Sequence, residues 1–196
     1  MLDFIFDYSE SGRWKKPFAA HDVGTYPLAN GQTYQGDMPV EETGNMLIMT
    51  TAIAIADGNA DYAAKHWEIL TAWSNYLAEA GMDPENQLCT EDFAGHLAHN
   101  ANLSAKAIMA IAGYGRLAEM LNKPEEAKKF TEMAKRMAIE WERRADDGDH
   151  YRLAFDMPGT WSQKYNFVWD KVLGLNILPD RIMKKEVTFY LKTQNK

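Results

Sequence analysis

The sequence predicts an all-α fold, in which three pairs of helices form part of an α/α toroid. Three apolar stretches begin at Asn45, Asn102 and Asn166, at intervals of 57 and 64 residues. Each stretch is followed by a turn and then by a segment whose apolar residues recur at helical spacing. A helix that is apolar on all sides is buried, whereas an amphipathic helix lies at the surface. The alternation therefore predicts inner helices that are wrapped by outer helices.

The helices are expected in the following order along the chain. The inner helices are predicted near residues 39–56, 100–121 and 162–176. Their outer partners are predicted at residues 61–80, 124–144 and 180–192, and a further helical segment at residues 2–8. Pro124 stands at the start of the second outer helix, where the first turn tolerates a residue without an N–H group.

Composition favours one domain, residues 1–196, and excludes several classes of protein. Of the 196 residues 46% are hydrophobic, which is enough for a sizeable core. The 21 basic and 28 acidic residues give a net charge of −7, and no basic block is present, so we expect no nucleic-acid partner. The longest apolar run, residues 107–115, is about half of what a bilayer requires, so we expect no membrane span.

Two features suggest that the chain is a fragment of a longer protein. Residues 2–8 have the pattern of the middle of a helix, with no basic segment or cleavage site of a signal peptide. Three helix pairs also cannot close a ring of six. An incomplete ring would expose an apolar flank, and such flanks promote self-association.

The loops that precede the inner helices are expected to meet at one end of the fold. They are long and rich in polar residues, and long loops on a rigid scaffold are a usual place for function. The N-termini of the inner helices should lie at the same end, where free N–H groups favour anions and polar ligands.

Carboxylates are the reactive groups that these loops supply in number. No Ser-His-Asp arrangement, phosphate-binding glycine loop or Cys-His pair is present. Two carboxylates, one protonated and one ionised, can perform acid/base hydrolysis, and the candidates are Asp22, Glu42 and Asp92. His96 and His99 lack a third ligand, so we expect neither a metal nor another cofactor.

Each candidate also has a structural interpretation. Glu42 falls in the first turn of a predicted helix, where the helix dipole alone favours an acid. Asp92 could stabilise a turn, and the neighbours His21 and Asp22 could form a hydrogen-bonded pair that braces their loop. Trp161 could belong to the core or form a platform for a substrate.

Several motifs resemble those of the glutaminase A family, a group of large bacterial and fungal proteins with an α/α toroid domain. They are FIFDY at 4–8, SGRW at 11–14, HDVGTYP at 21–27, MPVEETGNM at 38–46, DFAGHLAHN at 92–100, WSQKYN at 161–166 and WDKVLGL at 169–175. The resemblance implies hydrolysis of L-glutamine to glutamate and ammonia, and a periplasmic or extracellular location.

A fainter resemblance connects the chain to six-hairpin glycosidases. Some of these enzymes hold sugar hydroxyls with a His-Asp pair, which His21-Asp22 matches. They also carry a Thr-x-Asp motif whose Asp is the general acid, and Thr90-Glu91-Asp92 matches it. This resemblance implies a substrate contact for Thr90 and an acid role for Asp92, with the nucleophile outside this chain.

We therefore predict a fragment of a glutaminase-type hydrolase that acts on a small-molecule substrate, either glutamine or a sugar. Asp92 and Glu42 are the predicted catalytic residues; the predicted substrate-binding residues are His21, Asp22, Thr90 and Trp161. The carboxylates should lie within roughly 10 Å of one another, and the pKa of at least one should be raised. The alternatives are a glycoside hydrolase of the six-hairpin type and a non-catalytic carbohydrate-binding or scaffold module.

Overall fold

The computed structural model describes residues 1–89 and 94–194, and within these ranges every regular element is a helix. The all-α prediction is confirmed. The elements are α1 (Leu2–Glu10), α2 (Pro39–Asp57), α3 (Asp61–Lys65), α4 (Trp67–Ala80), α5 (Ala101–Met120), α6 (Pro124–Ala145), a 3₁₀ turn (Tyr165–Phe167), α7 (Val168–Val172) and α8 (Asp180–Gln194).

The core is organised around α5, which is buried along nearly its whole length. Seventeen of its twenty residues are buried, and it packs against α2, α4, α6 and the 3₁₀ turn. Such close packing requires small residues: a Cβ atom added to Gly113 would lie 2.6 Å from the Thr51 hydroxyl on α2. Neither α5 nor any other described helix is long and apolar enough to span a membrane. α5 is an inner helix, as its apolar sequence predicts.

The amphipathic helix α6 covers α5 from outside. Its buried face consists of residues at helical spacing, namely Phe130, Ala134, Met137, Ala138, Trp141 and Ala145. The indole N–H of Trp141 donates a 2.7 Å hydrogen bond to the carbonyl of Ala101, the first residue of α5. A single tryptophan thereby fills the space between the two helices and satisfies a buried carbonyl.

The first outer segment is divided at His66, whereas the sequence predicts one helix over residues 61–80. α3 ends at Lys65 and α4 begins at Trp67. The His66 ring stacks on Phe6 of α1 with centroids 4.0 Å apart, and its Nδ1 lies 2.9 Å from a carboxylate oxygen of Glu10. The interruption coincides with these contacts to α1, which lies almost sixty residues earlier in the chain.

The third inner helix is much shorter than predicted, and this part of the prediction is wrong. Instead of a helix over residues 162–176, the chain forms the 3₁₀ turn and the five residues of α7. The fully buried Asp170 accepts a 2.7 Å hydrogen bond from the main-chain N–H of Ile177. This bond holds the chain that follows α7 in a turn instead of a continued helix. Gly174 follows with a φ of +62°, a conformation that ends helices and suits glycine.

Exposed apolar side chains are found on the last two helices. Val168 and Val172 of α7 are 48% and 61% exposed, and Val187 and Leu191 of α8 are 50% and 59% exposed. The i,i+4 spacing places the members of each pair on one face of their helix. Self-association through an apolar flank remains a prediction.

The tight contact between α2 and α5 can be tested with Gly113→Ala. We expect the added methyl group to lower the free energy of unfolding by about 1–3 kcal/mol, although alanine has the higher helix propensity. Urea unfolding followed by circular dichroism measures the change.

The matched control is Thr51→Ala, because Thr51 supplies the nearest atom to the new methyl group. In the double variant the clash is relieved, so the two effects should be non-additive by about 1 kcal/mol. A Gly113→Ala variant as stable as the parent would contradict the close packing.

Candidate functional site

Three of the predicted site residues line one cavity. The cavity has a volume of about 290 Å³ and lies between α1, α2 and the loop around residues 20–24. His21, Asp22 and Glu42 contribute its polar groups. The remaining lining residues are small or apolar: Met1, Leu2, Ile5, Ala20, Val23, Gly24, Met46 and Met49. A pocket with an apolar wall and a few convergent polar groups is typical of a small-molecule site.

The N-termini of α2 and α5 are capped by side chains, so the expectation of free N–H groups there is wrong. At α2, the N–H groups of Val40 and Glu41 donate to the amide oxygen of Gln87, at 3.0 and 3.4 Å. At α5, the side chain of Asn100 accepts hydrogen bonds from two N–H groups of the first turn. The Glu42 carboxylate accepts a hydrogen bond from Asn45 and lines the cavity.

A buried polar network lies behind the Glu42 carboxylate. Glu41 and Lys106 are 2% and 4% exposed, and their charged groups are 2.6 Å apart. The Lys106 ammonium also donates to Asn45 Oδ1 at 2.7 Å, and Asn45 Nδ2 donates to Glu42 Oε2 at 3.2 Å. Gly44 makes room for the lysine stem, because a Cβ atom there would lie 2.7 Å from Lys106 Cγ. Sequence reasoning missed Lys106, although a lysine inside an apolar helix is a usable signal.

The environment of Glu42 favours its protonated form. Burial raises the pKa of its carboxyl group, and the nearby negative charge of Glu41 adds to this effect. The hydrogen bond from Asn45, the positive charge of Lys106 and, when its ring is protonated, the charge of His21 oppose the rise but do not cancel it. A carboxyl group with a raised pKa can exchange a proton closer to neutral pH than an ordinary glutamate.

The environment of Asp22 favours the ionised form of its carboxyl group. Partial burial opposes ionisation, but donors surround the carboxylate: the N–H groups of Thr33, Tyr34 and Gly24 and the ring of His21. Together they hold the pKa of Asp22 at about 2. Both carboxylate oxygens accept hydrogen bonds within the loop. Asp22 therefore braces its loop, which is the structural interpretation of the His21-Asp22 pair.

His21 is held in one orientation by its neighbours. Its Nδ1 lies 3.1 Å from Asp22 Oδ2, its main-chain N–H donates to Gln32 Oε1 at 2.7 Å, and its ring packs against Tyr34. When Nδ1–H donates to the carboxylate, Nε2 of the neutral ring is left as a hydrogen-bond acceptor. The pair can thus offer one oriented acceptor to a ligand.

Of the other predicted site residues, Trp161 is described by the structure, and it lies outside this cavity. Trp161 is 40% exposed and packs against Phe189 and Tyr190 of α8, with ring centroids 5.4 and 6.2 Å away. It is not among the residues that line the cavity, so its predicted place at a shared site is not supported. Thr90 and Asp92 lie outside the described residues, and their roles and their distances to His21 remain predictions.

His99, one of the two histidines considered as metal ligands, has another partner. His99 Nδ1 lies 2.7 Å from Asp83, whose second oxygen forms an ion pair with Arg144 at 2.6 Å. In residues 1–89 and 94–194 no three histidine, cysteine or acidic side chains gather in a metal-binding arrangement. The expectation that the site uses no metal and no cofactor remains a prediction.

The depressed pKa of Asp22 predicts a pH-dependent effect of Asp22→Asn on stability. A shift from 3.8 to about 2 stabilises the fold above the unfolded-state pKa, and this contribution is lost as the pH falls towards 2. We expect the variant to lose about 1–2 kcal/mol at pH 7, because the new NH₂ group would face donors of the loop. Denaturant unfolding at pH 7 and pH 2.5 measures the difference, which should be clearly smaller at the lower pH and should vanish only below the folded-state pKa of about 2. An equal loss at both values would contradict the assignment.

Glu42→Gln should change stability in the opposite direction, so that the variant is more stable than the parent above neutral pH. Because the folded-state pKa is raised, Glu42 contributes favourably below its unfolded-state pKa of about 4.5, and this contribution is lost as the pH rises through the folded-state value. The ionised group therefore costs stability at neutral pH, and we expect the glutamine variant to melt at a higher temperature than the parent at pH 8. At pH 4 the two melting temperatures should converge. A variant that is less stable at pH 8 would refute the burial effect.

Comparison with known proteins identifies the family. A family model described as the glutaminase A six helical-hairpin domain matches residues 1–196. The chain is 35% identical over 203 residues to Glutaminase A of Aspergillus oryzae, an alignment that covers the whole chain and 29% of the relative. It is 26% identical over 238 residues to a protein of Arthroderma benhamiae named as a probable glutaminase, with 90% of the chain and 28% of the relative covered. The chain thus spans less than a third of the length of either relative. It belongs to the family of the glutaminase A six helical-hairpin domain.

Proposed function

We propose that this chain supplies part of the active site of a glutaminase-type hydrolase, which converts L-glutamine to glutamate and ammonia. The observation that carries the proposal is Glu42, a largely buried carboxyl group with a raised pKa in the same cavity as His21. The names of the two relatives support the choice of reaction. Because both relatives are more than three times as long as the chain, the proposal concerns the longer protein that contains it.

Hydrolysis of an amide needs a base for the attacking water and an acid for the departing nitrogen. In the proposed reaction Glu42 is the base. It accepts a proton from water while the water oxygen forms a bond to the side-chain carbonyl carbon of glutamine. Asp92 is the acid and donates its proton to the nitrogen as the carbon–nitrogen bond breaks. The products are ammonia and the new carboxylic acid of glutamate.

The same cavity offers groups that suit the rest of glutamine. The oriented Nε2 of His21 can accept a hydrogen bond from a substrate N–H group, while Asp22 holds the ring in place. Met46 and Met49 in the cavity wall can contact the two methylene groups of the substrate. Thr90 remains a proposed substrate contact, and so does Trp161, whose ring packs on α8 outside the cavity.

Glycoside hydrolysis is the second candidate, and one contact favours it. The ring of Tyr34, 42% exposed, lies 4.5 Å from the ring of His21, so an aromatic surface is present beside the His21-Asp22 pair. Sugars commonly stack on such surfaces. Apart from His21, Asp22 and Glu42, the described residues that line the cavity are glycine, aliphatic residues and methionines, with no Phe, Tyr or Trp among them, which supports the smaller amide substrate. A purely binding module would have no use for a glutamate whose pKa is raised.

The proposal predicts that Glu42→Gln and Asp92→Asn each reduce turnover of glutamine by the longer protein about 10²–10⁴-fold, the usual contribution of a general acid or base. Both changes keep the shape of the side chain. Ammonia release from glutamine is measured beside sugar release from a panel of aryl glycosides.

Glu68→Gln is the matched control, because Glu68 is exposed on α4 and does not line the cavity. Its rate should equal that of the parent. If both test variants retain rates within a factor of a few, the proposed catalytic residues are wrong. If sugar rather than ammonia is released, the second candidate replaces the first.

A further inference from the structure

Lys106 is a buried charge that the proposed reaction does not use. It lies on α5 with only 4% of its surface exposed. Its ammonium group has two oxygen partners on α2, a carboxylate oxygen of Glu41 at 2.6 Å and Asn45 Oδ1 at 2.7 Å. Burial of an ion pair is costly and often gives no net stability relative to an apolar pair. A function of Lys106 beyond stability would explain why this position keeps a buried charge that is costly in free energy.

The chemistry of the partners fixes the orientation of the Asn45 amide. An ammonium group is only a donor, so the oxygen of the amide must face Lys106. The NH₂ group of Asn45 then points the other way and donates to Glu42 Oε2 at 3.2 Å. Without Lys106 the amide could rotate by half a turn and present its oxygen to Glu42, which would suit only the protonated acid.

We propose that Lys106 is a positioning residue that acts on Glu42 through Asn45. It anchors the Asn45 amide, so that the amide donates to the Glu42 carboxylate and holds that carboxylate as an acceptor at the cavity. This inference rests on the proposed function only where it assigns Glu42 the role of the base. The hydrogen-bond chain itself stands independently of the reaction.

The contact between Lys106 and Asn45 requires α2 and α5 to lie close together. Gly44 stands one residue before Asn45, and any side chain there would collide with the stem of Lys106. A glycine within a helix costs stability relative to alanine. Because glycine occupies this position, the ammonium can reach both Glu41 and Asn45 from the neighbouring helix.

The charged groups that face Glu42 come from three elements. On its own helix Glu41 disfavours ionisation; from α5 Lys106 favours it, and from the preceding loop His21 favours it as well. Asp22 lines the same cavity, with its charge engaged by donors of the loop. Loss of the Lys106 charge and loss of the Asn45 donor should therefore shift the titration of Glu42 in the same direction, towards higher pH.

Asn45→Leu is the primary test, because it removes the amide and leaves the Glu41–Lys106 pair intact. Titration of ¹³C-labelled glutamate carboxyl groups by NMR in this chain should show the pKa of Glu42 about one unit higher than in the parent, the effect of one lost hydrogen bond to a charged group. In the longer protein the acidic limb of the pH–rate profile should move up by the same amount, with KM unchanged.

A second variant, Lys106→Met with Glu41→Gln, removes both buried charges and so avoids an unpaired one. It retains Asn45 without its anchor, and the titration of Glu42 should lie at higher pH than in Glu41→Gln alone, a reference that accounts for the loss of the Glu41 charge. It also carries the test if Asn45→Leu does not fold. Arg116→Met is the matched control: it removes a positive charge from an exposed position of the same helix and should leave the titration unchanged.

The outcomes separate this inference from the proposed function. An unchanged Glu42 titration in both test variants would overturn the role of Lys106, whatever the reaction is. A shifted titration, combined with turnover that does not respond to Glu42→Gln, would support the hydrogen-bond chain and reject Glu42 as the base.

Discussion

The burial of α5 is the constraint on which the rest of the structure depends. A helix that is covered on nearly all sides must let its neighbours approach closely, so α5 is rich in glycine and alanine, and a Cβ atom added to Gly113 would lie 2.6 Å from the hydroxyl of Thr51 on α2. Its polar groups must also find partners inside the protein. The side-chain and main-chain oxygens of Asn102 accept hydrogen bonds from the main-chain N–H and the side-chain NH₂ of Asn166 in the 3₁₀ turn. Thus α5 fixes the position of α2 on one side and of the third hairpin on another.

The sequence predicts this arrangement well where hydrophobic periodicity decides it, and less well where a single distant contact decides it. Apolar positions alone predict α2, α5 and the outer helices to within a few residues. The early end of α7 depends on the buried Asp170, and the break at His66 coincides with a ring of α1 that is remote in sequence. The cap of α2 comes from Gln87, more than forty residues away. No local pattern encodes these contacts.

The residues of the candidate site also fall into two groups: those that the sequence pattern predicts and those whose place depends on distant contacts. The convergence of His21, Asp22 and Glu42 follows from their place in the loop and first turn before one inner helix, and this much could be read from the sequence. Trp161 lies before another inner helix, but its neighbours on α8 determine where its ring packs. Lys106 is not among the predicted site residues, because the mainly apolar pattern of its helix predicts core. Residues that affect the orientation or pKa of a site residue from a neighbouring helix are thus harder to predict than residues that line the cavity.

The two carboxyl groups of the cavity show how one small region can serve both stability and chemistry. Asp22 gains more from donors of its loop than it loses by burial, so its charge stabilises the fold. Glu42 receives one side-chain donor, from Asn45, and burial together with Glu41 outweighs it, so its charge is held at a cost. A fold tolerates such a cost only if other contacts compensate, and the extensive packing of α2 on α5 lies directly beneath Glu42. Carboxyl groups with a displaced pKa cluster at functional sites, and Glu42, on a helix that is packed firmly against α5, is for that reason the group on which the proposed reaction depends.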